Sequence, residues 1–274
     1  MATREFAQSK DGLKLRYEVR GKGEPVALIM GFSASGRGWG EPFLKLMESR
    51  FKLFVIDNRG TGESDQPDIE WTLADMAADV AAVMDHAKTP RAHIFGISMG
   101  GMIAQEFALA FPSRTRGLVL GCTNCGASHS IPADPAAVAN LMPDPKLSAE
   151  EQAMRAFSVA CGKQFLNSAA GKATLAREIA EMSNYPVTPM HTFMRQGQAI
   201  GKFDSFARLG EIKSPTLVIH GDDDSIVPHP NAEVLHGAIA GSKVHILKAA
   251  GHMFFWEAPD EAVRVAGDFL ARVN

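Results

Sequence analysis

A serine flanked by glycines is the residue in this chain best suited to nucleophilic chemistry. Ser98 lies in the segment Gly96–Gly101, which reads GISMGG and follows the apolar run His93–Ile97. The residues after it, Met102–Ala110, carry apolar side chains at helical spacing. A tight turn from a strand into a helix needs small residues around the serine and presents its hydroxyl at the start of the helix. This context predicts that Ser98 is a nucleophile. The alternative is a small-residue turn that only packs helix against strand.

A base for this serine is found near the carboxyl end of the chain. A serine is a weak nucleophile until a base, itself oriented by an acid, removes its proton. His252 follows a glycine after the apolar run Lys243–Leu247, and we predict that it is the base. The remaining histidines are interpreted as strand, helix-end, loop or surface residues: His86, His93, His129, His191, His220, His229, His236 and His245.

Three consecutive aspartates, Asp222–Asp224, follow the run Thr216–His220 and are candidates for the acid. Aspartates that do not act as the acid can cap or solvate the turn. A second position for an acid, Cys122–Asn124, follows the run that ends at Gly121 but has no carboxylate. Catalytic groups of a parallel sheet gather at the carboxyl ends of its strands, so a serine, an acid and a base at three such ends can converge.

A tetrahedral intermediate at the serine also needs backbone donors for its negatively charged oxygen. Met99, the residue after the serine, supplies one N–H group. The loop Met30–Ser33 follows the first strong apolar run and is expected to supply the second, with Phe32 as the predicted donor. The Phe32 ring either lines a pocket or belongs to the core.

The order of the remaining patterns predicts an α/β sheet with right-handed crossovers. Short runs that are apolar throughout indicate strands covered on both faces, as in a parallel sheet. Between them lie amphipathic helical patterns, such as the one over residues 73–84 and the last one, Asp260–Val273. The predicted strands are Val26–Met30, Leu53–Asp57, His93–Ile97, Leu118–Gly121, Thr216–His220 and Lys243–Leu247.

Residues 124–210 interrupt this alternation because they contain no convincing strand. The stretch is rich in proline and has helical patterns over Glu150–Ala160 and Lys172–Met182. Long connections inside a compact domain are usually functional. We therefore predict a helical cap, or lid, over residues 124–210 on a core of residues 1–123 and 211–274. The alternative is a decorative excursion.

Composition and charge limit the partners of the chain. Its 274 residues are 46% hydrophobic and 22% charged, with a formal net charge of −3. The basic footprint of a nucleic-acid-binding protein is missing, and no polybasic cluster indicates a membrane surface. The amino-terminal residues MATREFAQSKDG contain no apolar run that would predict a signal peptide. The longest apolar run, Val26–Met30, is far too short for a membrane span. We expect a small-molecule substrate and a monomer or homodimer.

The cysteines predict a reducing compartment and no metal. Cys122, Cys125 and Cys161 cannot all pair, which favours the cytoplasm. The spacing Cys122-x-x-Cys125 is compatible with a redox pair or half a zinc site, but there is no second pair. The preferred interpretation is a pocket wall at a strand end, and no metal or organic cofactor is expected.

Three further motifs resemble those of α/β-hydrolases, and the resemblance covers nearly the whole chain. They are the loop DNRGTGES (Asp57–Ser64), the turn GDDDSIVP (Gly221–Pro228) and the ending GHMFFWEAP (Gly251–Pro259). The resemblance implies a mostly parallel central sheet flanked by helices, with a helical cap inserted after the sixth strand. It implies the chain order serine, aspartate, histidine. It also favours Asp224 as the acid, through the spacing Gly-x-x-Asp-x-x-x-Pro. The DNRGTGES loop is interpreted as structural, tied near the site by hydrogen bonds.

Within that superfamily the chain is most similar to small esterases and to enol-lactonases related to 3-oxoadipate enol-lactonase. A serine at position 98 speaks against epoxide hydrolases and haloalkane dehalogenases, which have aspartate there. The pair Met30-Gly31 stands where the family often has His-Gly. The resemblance implies hydrolysis of carboxylic esters or lactones through an acyl-enzyme. Alternatives are C–C bond hydrolysis or perhydrolysis by the same residues, and a non-enzymatic ligand receptor.

The substrate is expected to be apolar. Few basic residues in the predicted cap are placed to bind a dicarboxylate, which argues against 3-oxoadipate lactone itself. Thioether side chains suit an irregular apolar pocket, although methionine is also a common core residue. Both interpretations apply to the cap residues Met142, Met154, Met182, Met190 and Met194.

Overall fold

The fold is built on one eight-stranded sheet, seen in a computed structural model that describes residues 2–182 and 184–273. Residues 1, 183 and 274, which the predicted core and cap ranges include, lie outside the described residues. The strands are β1 (Thr3–Gln8), β2 (Lys14–Arg20), β3 (Pro25–Ile29), β4 (Lys52–Ile56), β5 (Ala92–Ile97), β6 (Thr115–Gly121), β7 (Thr216–Gly221) and β8 (Lys243–Leu247).

The sheet has the order β1-β2-β4-β3-β5-β6-β7-β8 and is mostly parallel. Strands β3 to β8 correspond to the six predicted runs, and their pairings are all parallel. Strands β1 and β2 were not predicted, and they join the edge of the sheet in antiparallel pairings. Both carry several charged residues and are partly exposed, so they lack the continuous apolar run of a buried strand. The predicted α/β fold is confirmed.

Helices cover both faces of the sheet. Side chains of α2, α3 and α9 share a hydrophobic core with one face, and those of α1, α10 and α11 share a core with the other. The helices are α1 (Glu41–Glu48), α2 (Leu73–His86), α3 (Met99–Ala110), α4 (Pro135–Leu141), α5 (Ala149–Ala160), α6 (Lys163–Asn167), α7 (Ala169–Met182), α8 (Met190–Lys202), α9 (Pro230–Ala238), α10 (Phe254–Glu257) and α11 (Pro259–Ala271).

The connection between β6 and β7, residues 122–215, contains the five helices α4 to α8 and is called the insertion below. Among its described residues the only β-pairing is an isolated bridge between Gly126 and Asp204, as the lack of a strand pattern predicted. Helix α5 begins at a capping box, in which Ser148 and Glu151 satisfy each other's backbone N–H groups. No helix in the described ranges is long and apolar enough to cross a membrane.

The five methionines of the insertion are not core residues. Each exposes between 46% and 57% of its surface. The interpretation of these side chains as core is therefore wrong, because a core methionine would be shielded from solvent by its neighbours. The residues concerned are Met142, Met154, Met182, Met190 and Met194.

Candidate active site

Ser98 lies between β5 and α3 in a strained backbone conformation. Its φ of 55° and ψ of −126° are far from the angles that a residue with a Cβ atom adopts freely. The turn is held from the neighbouring strand: Ser98 N–H donates to Gly121 O at 2.9 Å, and Thr123 Oγ1 donates to Ser98 O at 2.7 Å. The predicted strand–turn–helix context of this serine is therefore present.

The glycines beside Ser98 are required by close packing of the backbone. A Cβ atom on Gly96 would lie 2.0 Å from Gly100 O, and one on Gly100 would lie 2.1 Å from Ile29 O. These distances are far inside van der Waals contact, and the atoms that would be met are backbone atoms that cannot move aside. The start of α3 can pack this closely against β5 and β3 only because Gly96 and Gly100 lack side chains.

Asp224 is fixed by the turn that follows β7. Its Oδ1 accepts hydrogen bonds from the Ile226 and Val227 N–H groups, both at 2.9 Å. Its Oδ2 is 2.8 Å from His252 Nδ1 and 3.3 Å from His220 Nε2. Burial acts to raise the pKa of this carboxyl, but the charge of His252 and the hydrogen bonds from the two histidines lower it to about 2. Asp224 is therefore an ionised carboxylate in a buried site.

The His252 imidazole is buried against this carboxylate. Burial acts to lower its pKa, but the charge of Asp224 overrides that effect, and the pKa lies well above the usual value of 6.5. The hydrogen bond to Nδ1 fixes the ring orientation and leaves Nε2 for a second partner. The neighbouring aspartates have other partners: Asp222 accepts from Ala249 N–H at 2.6 Å, and Asp223 accepts from Lys163 N–H at 2.7 Å. Of the three candidates, only Asp224 is hydrogen-bonded to His252 among the described residues.

His220 contributes to this arrangement, although its sequence context indicated only a strand residue. The residue is fully buried near the end of β7. Its Nε2 donates to Val227 O at 2.7 Å and lies 3.3 Å from the Asp224 carboxylate. The ring therefore fastens the turn that carries the carboxylate. The only sequence signal for this role is its position four residues before Asp224, which is too common a spacing to be informative.

Cys122 joins the serine turn to the histidine. Its sulfur, a carboxylate oxygen of Asp224 and a ring nitrogen of His252 all lie within 4.8 Å of one another. Burial outweighs the charge of His252, which acts to lower the pKa of the thiol. Burial raises the pKa of this thiol, so it is protonated at neutral pH and is a poor nucleophile. All three cysteines are free and buried, and Cys122 packs beside Asp224 and His252.

The predicted oxyanion donors lie around the same turn. A Cβ atom on Gly31 would be 3.5 Å from Ser98 Oγ, so the loop that contains Phe32 runs directly past the serine. Neither the Phe32 N–H nor the Met99 N–H donates a hydrogen bond to another described residue. The Phe32 ring is partly buried and packs against Phe193 of α8, with ring centroids 4.5 Å apart. Two free backbone donors beside one serine can stabilise a negatively charged oxygen.

The DNRGTGES loop is tied near the site by hydrogen bonds, as its sequence predicted. Asp57 accepts from Gly36 N–H at 2.8 Å, and Asn58 Nδ2 donates to Met30 O at 2.9 Å. The Arg59 guanidinium is buried and forms hydrogen bonds of 2.6 and 2.7 Å with Asp79. The Asn58 contact ties the DNRGTGES loop to the loop that carries Phe32, and the Arg59 contact ties it to helix α2.

The structure thus brings Ser98, Asp224 and His252 to one end of the sheet. Asp224 and His252 form a direct hydrogen bond. Cys122 is a neighbour of this pair and of Ser98. Between Ser98 Oγ and His252 no direct hydrogen bond is present among the described residues. Catalytic hydrogen bonds are often looser without substrate and shorten when it binds.

Comparison with known proteins identifies the family. The family model for the alpha/beta hydrolase fold matches residues 24–259, which is most of the chain. This chain belongs to the α/β-hydrolase family, as the sequence motifs indicated.

Relatives within the family act on different bonds. A protein of Variovorax paradoxus (strain S110), which bears the provisional name carbamate hydrolase RutD, is 33% identical over 96% of this chain and 98% of its own. The 2-hydroxy-6-oxo-6-phenylhexa-2,4-dienoate hydrolase of Comamonas testosteroni is 29% identical over 93% and 91%. The solved structure of Est816, an N-acyl homoserine lactone degrading enzyme, is 28% identical with a TM-score of 0.81 over 97% of this chain and 100% of that one. These relatives support a hydrolase and leave the bond it cleaves to be decided.

Proposed function

We propose that this protein is a serine hydrolase that cleaves carboxylic esters or lactones through an acyl-enzyme. The observation that carries the proposal is the buried hydrogen bond of 2.8 Å between Asp224 and His252, beside a serine held in a strained turn. A carboxylate bound to one imidazole nitrogen orients the ring and stabilises the cation that forms when the other nitrogen takes a proton.

In the proposed mechanism the unprotonated form of His252 accepts at Nε2 the proton of Ser98 Oγ as the oxygen attacks the carbonyl carbon. The N–H groups of Phe32 and Met99 hold the resulting oxyanion. His252 then gives its proton to the leaving alcohol, and the acyl group remains on Ser98. Water, deprotonated by the same imidazole, attacks the acyl-enzyme and releases the acid. No step requires a metal or an organic cofactor.

The first test is the variant Ser98→Ala with p-nitrophenyl butyrate as substrate. We expect kcat/KM to fall at least about 1,000-fold, because the nucleophile is removed while the rest of the site remains. Thermal unfolding of the variant serves as the control for folding. A fluorophosphonate probe should label the native protein at Ser98, identified by peptide mass spectrometry, and should not label the variant. Unchanged hydrolysis by a folded Ser98→Ala protein would exclude the proposal.

The second candidate function is C–C bond hydrolysis by the same residues, and it is favoured by the likeness to the dienoate hydrolase of Comamonas testosteroni. The likeness to a carbamate hydrolase adds a third kind of bond to be tested. A panel of p-nitrophenyl esters, homoserine lactones, carbamates and 2-hydroxy-6-oxodienoates at equal concentration separates these functions. We expect the highest kcat/KM on an ester or lactone with a short to medium apolar acyl group.

We also propose that residues 124–210 form a cap over Ser98 and that residues 1–123 and 211–274 form the hydrolase core. The partly exposed methionines of this segment and the Phe193 ring beside Phe32 support an apolar substrate path. A cytoplasmic location is proposed on the strength of three free, buried cysteines. Monomer and homodimer both remain compatible with the proposal.

A further inference from the structure

We propose that Gln196, on helix α8 of the insertion, is a positioning residue that aligns the loop carrying the Phe32 N–H. The inference rests on the proposed function, in which that N–H stabilises an oxyanion at Ser98. Its new content is that the insertion, and not only the sheet, sets the geometry of this donor.

The Gln196 side chain bridges two loops of the core. It is fully buried, its Oε1 accepts a hydrogen bond from Ser33 N–H at 2.8 Å, and its Nε2 donates to Arg59 O at 3.1 Å. A side-chain amide offers an acceptor oxygen and a donor nitrogen on two separate atoms of one planar group, so it can bridge two backbone groups. Arg59 is itself held by its buried ion pair with Asp79, so the amide is anchored to a fixed point. Gln196 therefore holds Ser33 at a fixed place relative to the DNRGTGES loop.

Ser33 needs such an anchor because its backbone is strained. Its φ of 57° lies in the left-handed region, which a residue with a Cβ atom adopts only when surrounding contacts impose it. The second contact is Thr188 Oγ1, which donates to Ser33 O at 2.8 Å. Both backbone polar groups of Ser33 are thus bound by side chains of the insertion.

These contacts act directly on the residue before Ser33, which is Phe32. On its amino-terminal side the loop is fixed by Asn58 Nδ2, which donates to Met30 O. The Phe32 ring is fixed by Phe193, which lies three residues before Gln196 on α8 and hence on the same face of that helix. With both flanks and the ring held, the direction of the Phe32 N–H is determined. Loss of the Gln196 anchor frees Ser33 to leave its strained conformation and to turn the donor away from Ser98.

The test compares Gln196→Met with Gln198→Met, a matched substitution on the exposed side of the same helix. Methionine keeps the length of glutamine but neither accepts from Ser33 N–H nor donates to Arg59 O. We expect kcat for p-nitrophenyl butyrate to fall about 10- to 100-fold in Gln196→Met, the range for a misplaced oxyanion donor, with KM changed less than about threefold. We expect Gln198→Met to behave as the native protein.

A second readout separates positioning from a general loss of structure. A trifluoromethyl ketone forms a tetrahedral adduct with the serine, so its affinity depends on the oxyanion donors, whereas KM depends mainly on ground-state contacts. In Gln196→Met the inhibition constant should rise by about the factor by which kcat/KM falls. A partly unfolded protein would instead show a reduced concentration of active sites with unchanged constants per site, which titration with a fluorophosphonate measures.

Thr188→Val keeps the test decisive if Gln196→Met does not fold. Valine has the shape of threonine but cannot donate to Ser33 O, so we expect a smaller loss of kcat in the same direction, about three- to tenfold. Native kcat and inhibitor affinity per active site in every variant that folds would overturn the inference while leaving the proposed function intact. Absence of Ser98-dependent hydrolysis in the native protein would overturn the proposed function and the inference together.

Discussion

The turn that carries Ser98 and the loops that carry Asp224 and His252 are held by different parts of the molecule. The Ser98 turn is fixed mainly by the sheet, through the close approach of Gly100 to Ile29 O and the hydrogen bond of Ser98 N–H to Gly121 O at the end of β6, with one further hydrogen bond from Thr123 two residues beyond that strand. The two loops follow β7 and β8 and are held in addition by one short segment of the insertion, Val159–Lys163.

That segment reaches both loops with hydrogen bonds to backbone and side-chain groups. It lies at the end of α5 and the start of α6, where helical backbone groups have no partner within the helix. Its contacts are Ser225 Oγ to Val159 O (2.7 Å), Met253 N to Ala160 O (3.1 Å), Gly162 N to Glu257 Oε2 (3.0 Å) and Lys163 N to Asp223 Oδ2 (2.7 Å).

The difference shows that the insertion is part of the framework of the site. The proposed nucleophile is placed by strand geometry, whereas the proposed acid, base and one oxyanion donor also have contacts from helices α5, α6 and α8. A substitution in the sheet should therefore lower the stability of the whole fold. A substitution in the insertion should mainly change how the side chains of the site are aligned. Three substitutions test this division.

The largest effect is expected for Gly100→Ala in the Ser98 turn. The new Cβ atom would lie 2.1 Å from Ile29 O, so α3 and β3 must move apart. We expect destabilisation of more than about 4 kcal/mol, which is exceptional for one substitution, measured by urea unfolding, together with loss of esterase activity.

The matched control for Gly100→Ala is Gly197→Ala on helix α8. No atom lies within 4 Å of its Cβ position, so alanine should stabilise this helix by up to about 1 kcal/mol. Equal destabilisation by the two substitutions would contradict the assignment of the Ser98 turn to the sheet.

An intermediate, pH-dependent effect is expected for Glu257→Gln. Glu257 accepts hydrogen bonds from Gly162 N–H and Gly251 N–H and so joins the insertion to the His252 loop. Burial raises the pKa of this carboxyl from 4.5 to about 7. A folded-state pKa above the unfolded value means that the native protein gains stability from this group below about pH 4.5 and loses that gain as the pH rises through 7. Glutamine carries no charge at any pH, so the Tm of the variant relative to the native protein should rise between pH 5 and pH 8.

The control is Glu150→Gln, which changes an exposed carboxylate in the first turn of α5. We expect its Tm difference from the native protein to stay nearly constant over the same pH range. A pH-independent Tm difference for Glu257→Gln would show that its carboxylate is not destabilising at neutral pH.

The smallest effect is expected for Ser225→Ala, which removes only the hydrogen bond from Ser225 Oγ to Val159 O. We expect a loss of about 1 kcal/mol in the free energy of unfolding, measured in urea. The control is Ser158→Ala, which removes an exposed hydrogen bond to Arg155 O within the same helix and should change stability by less than about 0.5 kcal/mol. If the two variants were equally stable, the acid turn would not depend on the insertion.

Much of the sheet could be predicted from the sequence because buried parallel strands are continuous apolar runs. The six runs matched β3 to β8 within three residues at each end. Strands β1 and β2 were missed because neither contains the continuous apolar run that was used to identify buried strands: β1 has the sequence TREFAQ, and in β2, KLRYEVR, charged and apolar residues alternate. The methionines of the insertion were misjudged as candidates for the core, since a helical apolar pattern does not reveal which face meets a neighbour.

The sequence by itself predicted the groups to which we assign the chemistry: a serine between glycines, an aspartate and a histidine, each at the end of an apolar run. These signals are local, because a strained turn and a strand end impose particular residues on their immediate neighbours. The tertiary structure showed that Asp224, the aspartate that the family spacing favoured, meets His252. Only the tertiary structure decided that Cys122 and His220 pack beside the pair and that Gln196 reaches Ser33 across 163 positions of the chain. Such contacts depend on the packing of helices against the sheet. Residues that are brought together by packing have no characteristic separation along the sequence, so no sequence pattern predicts them.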